Sequence, residues 1–290
     1  MAIFNLGSIN IDHVYRLDHL PKAGETLHAV SYAQGLGGKG ANQSIAAARA
    51  GASVRHLGAM SAQDEWVIGR MAHAGVDVAG VQRLADVPTG HAIILVEAGG
   101  ENSIIVHGGA NQAIEVAALT AALQVIDKAD TLLLQNETSL QLEAARMAVS
   151  RGARVIYSAA PFDLAALRAI MPHVSIIAMN EEEARQAFAA FGEALPVKGL
   201  LITRGRNGAE FRDLESGQIF HQAAFPVVPV DTTGAGDCFA GSFSAALDSG
   251  QDIPAALRYA AAAAALQVTR FGAGDAMPNR AEVLRFLQSA

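Results

Sequence analysis

The sequence predicts an α/β fold: a mainly parallel central sheet with helices on both faces and a small β-sheet lid. Three observations carry this. Short apolar runs of strand type alternate with Ala-rich helical runs along most of the chain, the pattern of a sheet buried on both faces. Hydrophobic residues fill 51% and charged residues 17% of the 290 positions, which suits a sizeable core and argues against disorder. Two stretches, Ile9–Gln34 and Thr89–His107, instead alternate apolar and polar residues around turn signals.

In chain order, Ile3–Gly7 reads as the first strand and Ile9–Gln34 as a β-hairpin turning at Pro21-Lys22-Ala23-Gly24. A helix over Gly40–Ala50, a strand over Val54–Leu57 and a helix over Glu65–Ala74 follow. Thr89–His107 reads as a second hairpin around Ala98-Gly99-Gly100-Glu101-Asn102. Helices at Glu115–Ile126, Leu140–Ser150 and Glu181–Phe191 then alternate with strands at Thr131–Leu134, Arg154–Tyr157, Ser175–Ala178 and Leu200–Thr203. Two long helices, Ala235–Ser249 and Ile253–Val268, and a short terminal one complete the C-terminal third. Without a repeat or linker, residues 1–290 are expected to form a single domain whose lid uses segments of about 9–36 and 88–108. A small sheet standing beside a pocket would exclude water on closing.

Composition narrows the function classes. A formal net charge of −7 without a long Lys/Arg run gives no footprint for nucleic acid. Cys238 is the only cysteine, so no internal disulfide forms and a cytoplasmic setting is expected; small core packing suits this thiol better than reactivity. No signal peptide is read at the N-terminus. The most apolar stretch, Tyr259 to Val268, is too short to span a bilayer. The nine histidines lack metal-ligand spacing, so no zinc site is expected.

Asp231-Thr232-Thr233-Gly234-Ala235-Gly236-Asp237, followed by the apolar run from Cys238, reads as a Gly-rich turn opening a helix. Free N–H groups and the helix dipole make Gly234, Ala235 and Gly236 an anion hole. Asp237 beside that hole is a helix cap or a proton acceptor; the second role suits phosphoryl transfer to a hydroxyl. Gly35, Gly37 and Gly40 formally satisfy G-x-G-x-x-G, but they follow a polar hairpin strand rather than the first buried strand, so a nicotinamide cofactor is not expected. Polyol recognition fits better: Gly37 and Gly38 admit a small sugar while Lys39 and Asn42 donate to its hydroxyls, although Lys39 alone would read as a solvated loop lysine. Asn10 and Asp12 point to one face at a strand's end, as hydroxyl ligands or as turn residues. Glu137 follows the apolar run Leu132–Leu134. Asn180 and Glu183 form either a capping box or part of a hydrated Mg2+–phosphate cluster. The turn Thr203-Arg204-Gly205-Arg206-Asn207-Gly208 suits a nucleotide wall. No Walker A pattern is present.

In this order, and over essentially the whole chain, these motifs resemble those of the ribokinase family of sugar kinases, the PfkB carbohydrate kinases. The match includes Gly7-Ser8-Ile9-Asn10-Ile11-Asp12, Gly37-Gly38-Lys39-Gly40-Ala41-Asn42-Gln43, Gly108-Gly109-Ala110-Asn111, Asp231 through Asp237, and Val268-Thr269-Arg270-Phe271-Gly272-Ala273. The resemblance implies a ribokinase-like three-layer α/β/α domain and transfer of the ATP γ-phosphate to a primary hydroxyl of a small sugar, D-ribose first. Fructose, another ketose or a nucleoside is the alternative; a catalytically inactive sugar-binding regulator is the alternative from another class. Asp237 would be the base and Gly234–Gly236 the anion hole, with Asn10, Asp12, Gly38, Lys39, Asn42 and Glu137 on the sugar. Asn180 and Glu183 would organise Mg2+ with ATP, and Thr203, Gly205, Gly208 and Gly236 would lie near the nucleotide. A monovalent cation, K+, would fall on Asp231, Thr233, Gln267, Arg270, Gly272 and Ala276, mostly through main-chain carbonyls. Ala276 stands where the family usually offers a serine hydroxyl. A homodimer through the lid completes the expectation.

Overall fold

The computed structural model describes residues 1–289. Its strands are β1 Ile3–Leu6, β2 Asn10–Leu17, β3 Ser31–Gly37, β4 Val54–Ser61, β5 Val81–Leu84, β6 Gly90–Glu97, β7 Asn102–His107, β8 Thr131–Gln135, β9 Arg154–Ser158, β10 Ile176–Asn180, β11 Gly199–Thr203, β12 Ala209–Asp213 and β13 Ile219–Gln222. Its α-helices are α1 Lys39–Arg49, α2 Glu65–His73, α3 Val116–Leu123, α4 Gln141–Ser150, α5 Leu164–Ile170, α6 Glu181–Phe191, α7 Ala235–Asp248, α8 Ile253–Gln267 and α9 Arg280–Ser289.

Nine strands form the central sheet in the order β13-β12-β11-β10-β9-β8-β1-β4-β5. From β11 to β5 every pairing is parallel, and only the pairings of β12 with β11 and β13 are antiparallel. Apolar runs such as Leu132-Leu133-Leu134 make this possible, because both sheet faces are covered and every side chain there is buried. One face packs Ile3, Leu133 and Ile156 against Ile45 of α1, Phe243 of α7, Leu257 of α8 and Val283 of α9. The other packs Phe4, Leu132 and Ile177 against Leu119 of α3, Ala144 of α4, Leu167 of α5 and Ala184 of α6. Three layers result.

The two inserted hairpins form a separate four-stranded sheet, ordered β3-β2-β6-β7. Pairing is antiparallel within each hairpin, β2 with β3 and β6 with β7, and parallel where β2 meets β6.

Three strands and one helix were not expected from the sequence: β5, β12, β13 and α5. Charge hides β12, Ala-Glu-Phe-Arg-Asp. Glu210 points inward from it yet is paired there, with Arg204 Nη2 3.0 Å away and Arg212 Nε also bonded. A buried carboxylate is tolerable only with such partners.

Backbone meets backbone where β1 ends and α1 begins. A Cβ on Gly40 would lie 2.3 Å from the Gly7 Cα. No side-chain movement can relieve that overlap. Gly40→Ala is therefore expected to lower stability by about 1–3 kcal/mol through overpacking, read as a lower urea midpoint with an unchanged slope.

Candidate active site

The first half of the site, expected to take the sugar, is built at the corner between β1 and β2. Asn10 and Asp12 sit at i and i+2 on β2 and face the same way. Gly37, on the neighbouring β3, leaves room for that carboxylate, because a Cβ there would stand 2.1 Å from Asp12 Oδ2. Gly38 then turns the chain into α1 with φ of 92°, a conformation that favours glycine. Glu137, after β8, closes the pocket. It accepts from the Ser8 hydroxyl and, at 3.2 Å, from the Lys39 backbone N–H. The Lys39 ammonium lies 3.9 Å from its other oxygen. Asn10 Oδ1 accepts from Asn111 Nδ2 at 2.8 Å, which leaves the amide protons of Asn10 for a ligand.

Charge in this corner is concentrated. Burial, and then the nearby Glu137 carboxylate, push Asp12 up to about 6, against the opposing pull of Lys39. Lys39 is disfavoured as a cation by its burial, but Asp237, Glu137, Glu183 and Asp12 together outweigh that and raise it. One ammonium thus serves several carboxylates.

Asp237 occupies the first turn of α7, behind Gly234 at φ of 77°. Its carboxylate does not cap its own helix. One oxygen accepts from Asn42 Nδ2 at 3.1 Å and the other from Gln43 Nε2 at 2.9 Å, both donors carried by α1. Burial raises its pKa, opposed by Lys39 and by those two amides. The arrangement leaves an anionic group aimed and partly desolvated, as a proton acceptor should be. The Asn42 amide nitrogen serves Asp237, while its Oδ1 is buried without a protein partner.

Two cavities meet at the turn Gly234–Gly236. One of 220 Å³ is lined by Lys39, Asn180, Glu183, Gly234, Gly236 and Asp237 among others. The next, of 600 Å³, runs from Thr203, Gly205 and Gly208 to the apolar Phe225, Ala264 and Val268. A phosphate chain suits the first, with its free helix N-terminus, and a flat aromatic base suits the second. Asn180 and Glu183 do form a capping box, 2.9 Å and 2.8 Å, which commits only one Glu183 oxygen. The remaining oxygen fits a hydrated Mg2+, which keeps most of its waters.

The residues expected around K+ do not fit it. Gln267 Nε2 donates to the carbonyls of Thr233 at 2.8 Å and Gly272 at 3.0 Å, two of the oxygens assigned to the ion. Asp231 accepts from the backbone N–H of Thr233 at 2.9 Å and of Gly272 at 3.0 Å. The Arg270 side chain turns to Glu282, 2.8 Å away, and Ala276 is buried without a hydroxyl, which leaves only their main-chain carbonyls.

Sequence reasoning missed the residues that hold these groups in place. Gln43, Ser8 and Asn111 lie inside the recognised motifs but carry no role that a motif reveals. Behind Gln43 the bonds continue through Gln135 to Asn5 and on to Ser44 and His56. Burial lowers His56 to about 4 despite its bond to Gly7 O, so it is a neutral structural member of that chain.

Residues 2–280 match the pfkB family carbohydrate kinases. The ribokinase of Bacillus subtilis is 38% identical over 97% of this chain and 98% of its own length. That of Haemophilus influenzae is 34% identical over 98% of each. Among solved structures, Arabidopsis thaliana ribokinase complexed with ribose and ATP superposes with a TM-score of 0.89 at 30% identity, covering 99% of both chains.

Proposed function

This chain belongs to the pfkB family of carbohydrate kinases, and from that premise we propose that it is an ATP-dependent ribose kinase producing D-ribose 5-phosphate. The observation that carries this reading is the position of Asp237. It stands at the wall shared by the acceptor corner and the Gly234–Gly236 turn, with both carboxylate oxygens held by α1.

Asp12 and the Asn10 amide would grip adjacent sugar hydroxyls, with Lys39 and Glu137 fixing the corner around them. The primary hydroxyl attacks the γ-phosphorus in line as the bond to the β-phosphate oxygen breaks, and its proton passes to Asp237. The backbone N–H of Gly236 would then face the charge that develops on the transferring group, since that of Ala235 is taken by the Thr232 carbonyl at 3.2 Å. Mg2+, held by Asn180 and Glu183 through water, would supply neutralisation of the phosphate oxygens. The walls from Thr203 to Gly208 would take the base of ATP.

Measuring ADP release over a panel of pentoses, hexoses and nucleosides tests the substrate. Saturable turnover is expected with ribose; turnover with adenosine but not ribose would reject ribose as the acceptor. Calorimetric ribose binding without ADP release would instead mark an inactive binder.

The small sheet is the proposed lid and dimer surface. Ile104 and Val106 of β7 are 53% and 60% exposed on one face, an apolar surface that a symmetric second copy would cover. The double variant Ile104→Glu/Val106→Glu is expected to sediment as a monomer where the parent sediments as a dimer. Among the described residues no helix is long and apolar enough to cross a membrane. ATP use and a single buried thiol suit the cytoplasm.

A further inference from the structure

The loop cluster beside the anion hole is already bridged by a side chain of the protein. Gln267 ends α8 and is completely buried. Its carboxamide nitrogen has two protons, and each is used: one on Thr233 O at 2.8 Å, the other on Gly272 O at 3.0 Å. Two carbonyls need donors, so the nitrogen must face them and the oxygen must turn away. Gln267 Oε1 accordingly lies buried without a partner.

Those two carbonyls belong to the loops that shape the hole. Thr233 immediately precedes Gly234. Gly272 immediately precedes Ala273, whose Cβ would be 2.9 Å from a Cβ placed on Gly234. Joining Thr233 to Gly272 therefore fixes the turn from which the phosphate-facing N–H groups project. A monovalent cation does this work by gathering carbonyl oxygens in place of its hydration shell. Here the space between the two carbonyls is filled by an NH2 group, and entry of an ion would break both hydrogen bonds. The other oxygens offer little in exchange. Both carboxylate oxygens of Asp231 accept from backbone N–H groups, and position 276 has no hydroxyl.

We propose that the Gln267 carboxamide takes the place of the activating cation, so that this kinase organises its anion hole without K+. Gln267 is a positioning residue in this role, acting through Thr233 and Gly272 rather than on the substrate. The proposal rests on the kinase reading for its activity test but not for its binding test.

The experiment compares K+, Na+ and tetramethylammonium chlorides at matched ionic strength, for ADP release with ribose and for thermal melting of the protein alone. Wild-type turnover is expected to agree within about twofold among the three salts, and its melting temperature to be the same in K+ and tetramethylammonium. Gln267→Ala clears the space; it is expected to lose turnover in tetramethylammonium and to regain at least about fivefold in K+, with a melting temperature that rises in K+ alone. A wild type activated at least about fivefold by K+, or specifically stabilised by it, overturns the proposal. So does a folded Gln267→Ala variant indifferent to K+ in both measurements. Should that variant fail to fold, the wild-type comparison decides alone. Absence of ADP release in every salt would count against the kinase reading, while wild-type melting would still decide whether K+ binds.

Discussion

Replacing Asp237 with alanine is expected to lower kcat by about 10²–10⁴-fold, the usual contribution of a positioned proton acceptor. Ribose KM should move by less than about tenfold, because the proposed sugar ligands Asp12, Asn10, Lys39 and Glu137 remain. The split between the two constants is the diagnostic: an interaction made only in the transition state affects turnover alone. Rapid-quench measurement of a single turnover would show the loss in the chemical step itself. A variant retaining near-normal turnover would remove Asp237 from the reaction. In the parent enzyme the carboxylate must be ionised to accept a proton. Burial raises its pKa, so the acid limb of kcat is displaced upward from where an exposed aspartate would put it.

Asp12→Asn is expected to separate binding from stability. Losing a carboxylate that accepts two sugar hydroxyls should raise ribose KM by at least about 10²-fold, given about 1.5–3 kcal/mol for each hydrogen bond to a charged group. The same change should make the protein more stable at pH 8. Asp12 moves from an ordinary 3.8 to about 6 on folding, so the folded state binds its proton more tightly than the unfolded chain does. Ionising it therefore costs stability, up to about 3 kcal/mol. That cost is full above about pH 6, declines between about 6 and 3.8, and vanishes below. Urea denaturation at pH 8 and pH 4 tests the sign: the variant's advantage should be large at the first and small at the second. In the parent enzyme, ribose KM should climb as pH falls through about 6, because a protonated Asp12 offers one acceptor fewer.

The parallel sheet was legible in the sequence because β8, β9, β10 and β11 are short apolar runs separated by helical ones. Both hairpins were legible from alternation around glycine turns. β12 was not, because a strand whose inward residue is Glu210 looks polar until Arg204 and Arg212 are seen beside it. In the site, Asp237 and Lys39 stand in glycine settings that announce their chemistry. Gln43 does not: its partner is 194 positions away, and no local spacing encodes that contact. Gln267 was expected to offer its carbonyl. That its side chain reaches two other carbonyls instead follows only from where the C-terminal end of α8 meets the turns at Thr233 and Gly272.

Only Gly38 separates β3 from α1, the helix whose Asn42 and Gln43 grip Asp237. With Gly7 and Gly40 in contact behind it, this junction has no slack in which a displacement of the strand can be lost. Gly37, the residue just before this junction, is also the one whose missing side chain leaves room for the Asp12 carboxylate. The orientation of the Asp237 carboxylate is thereby built into the strand-to-helix junction itself, and Asn42 and Gln43 hold it with no sugar present.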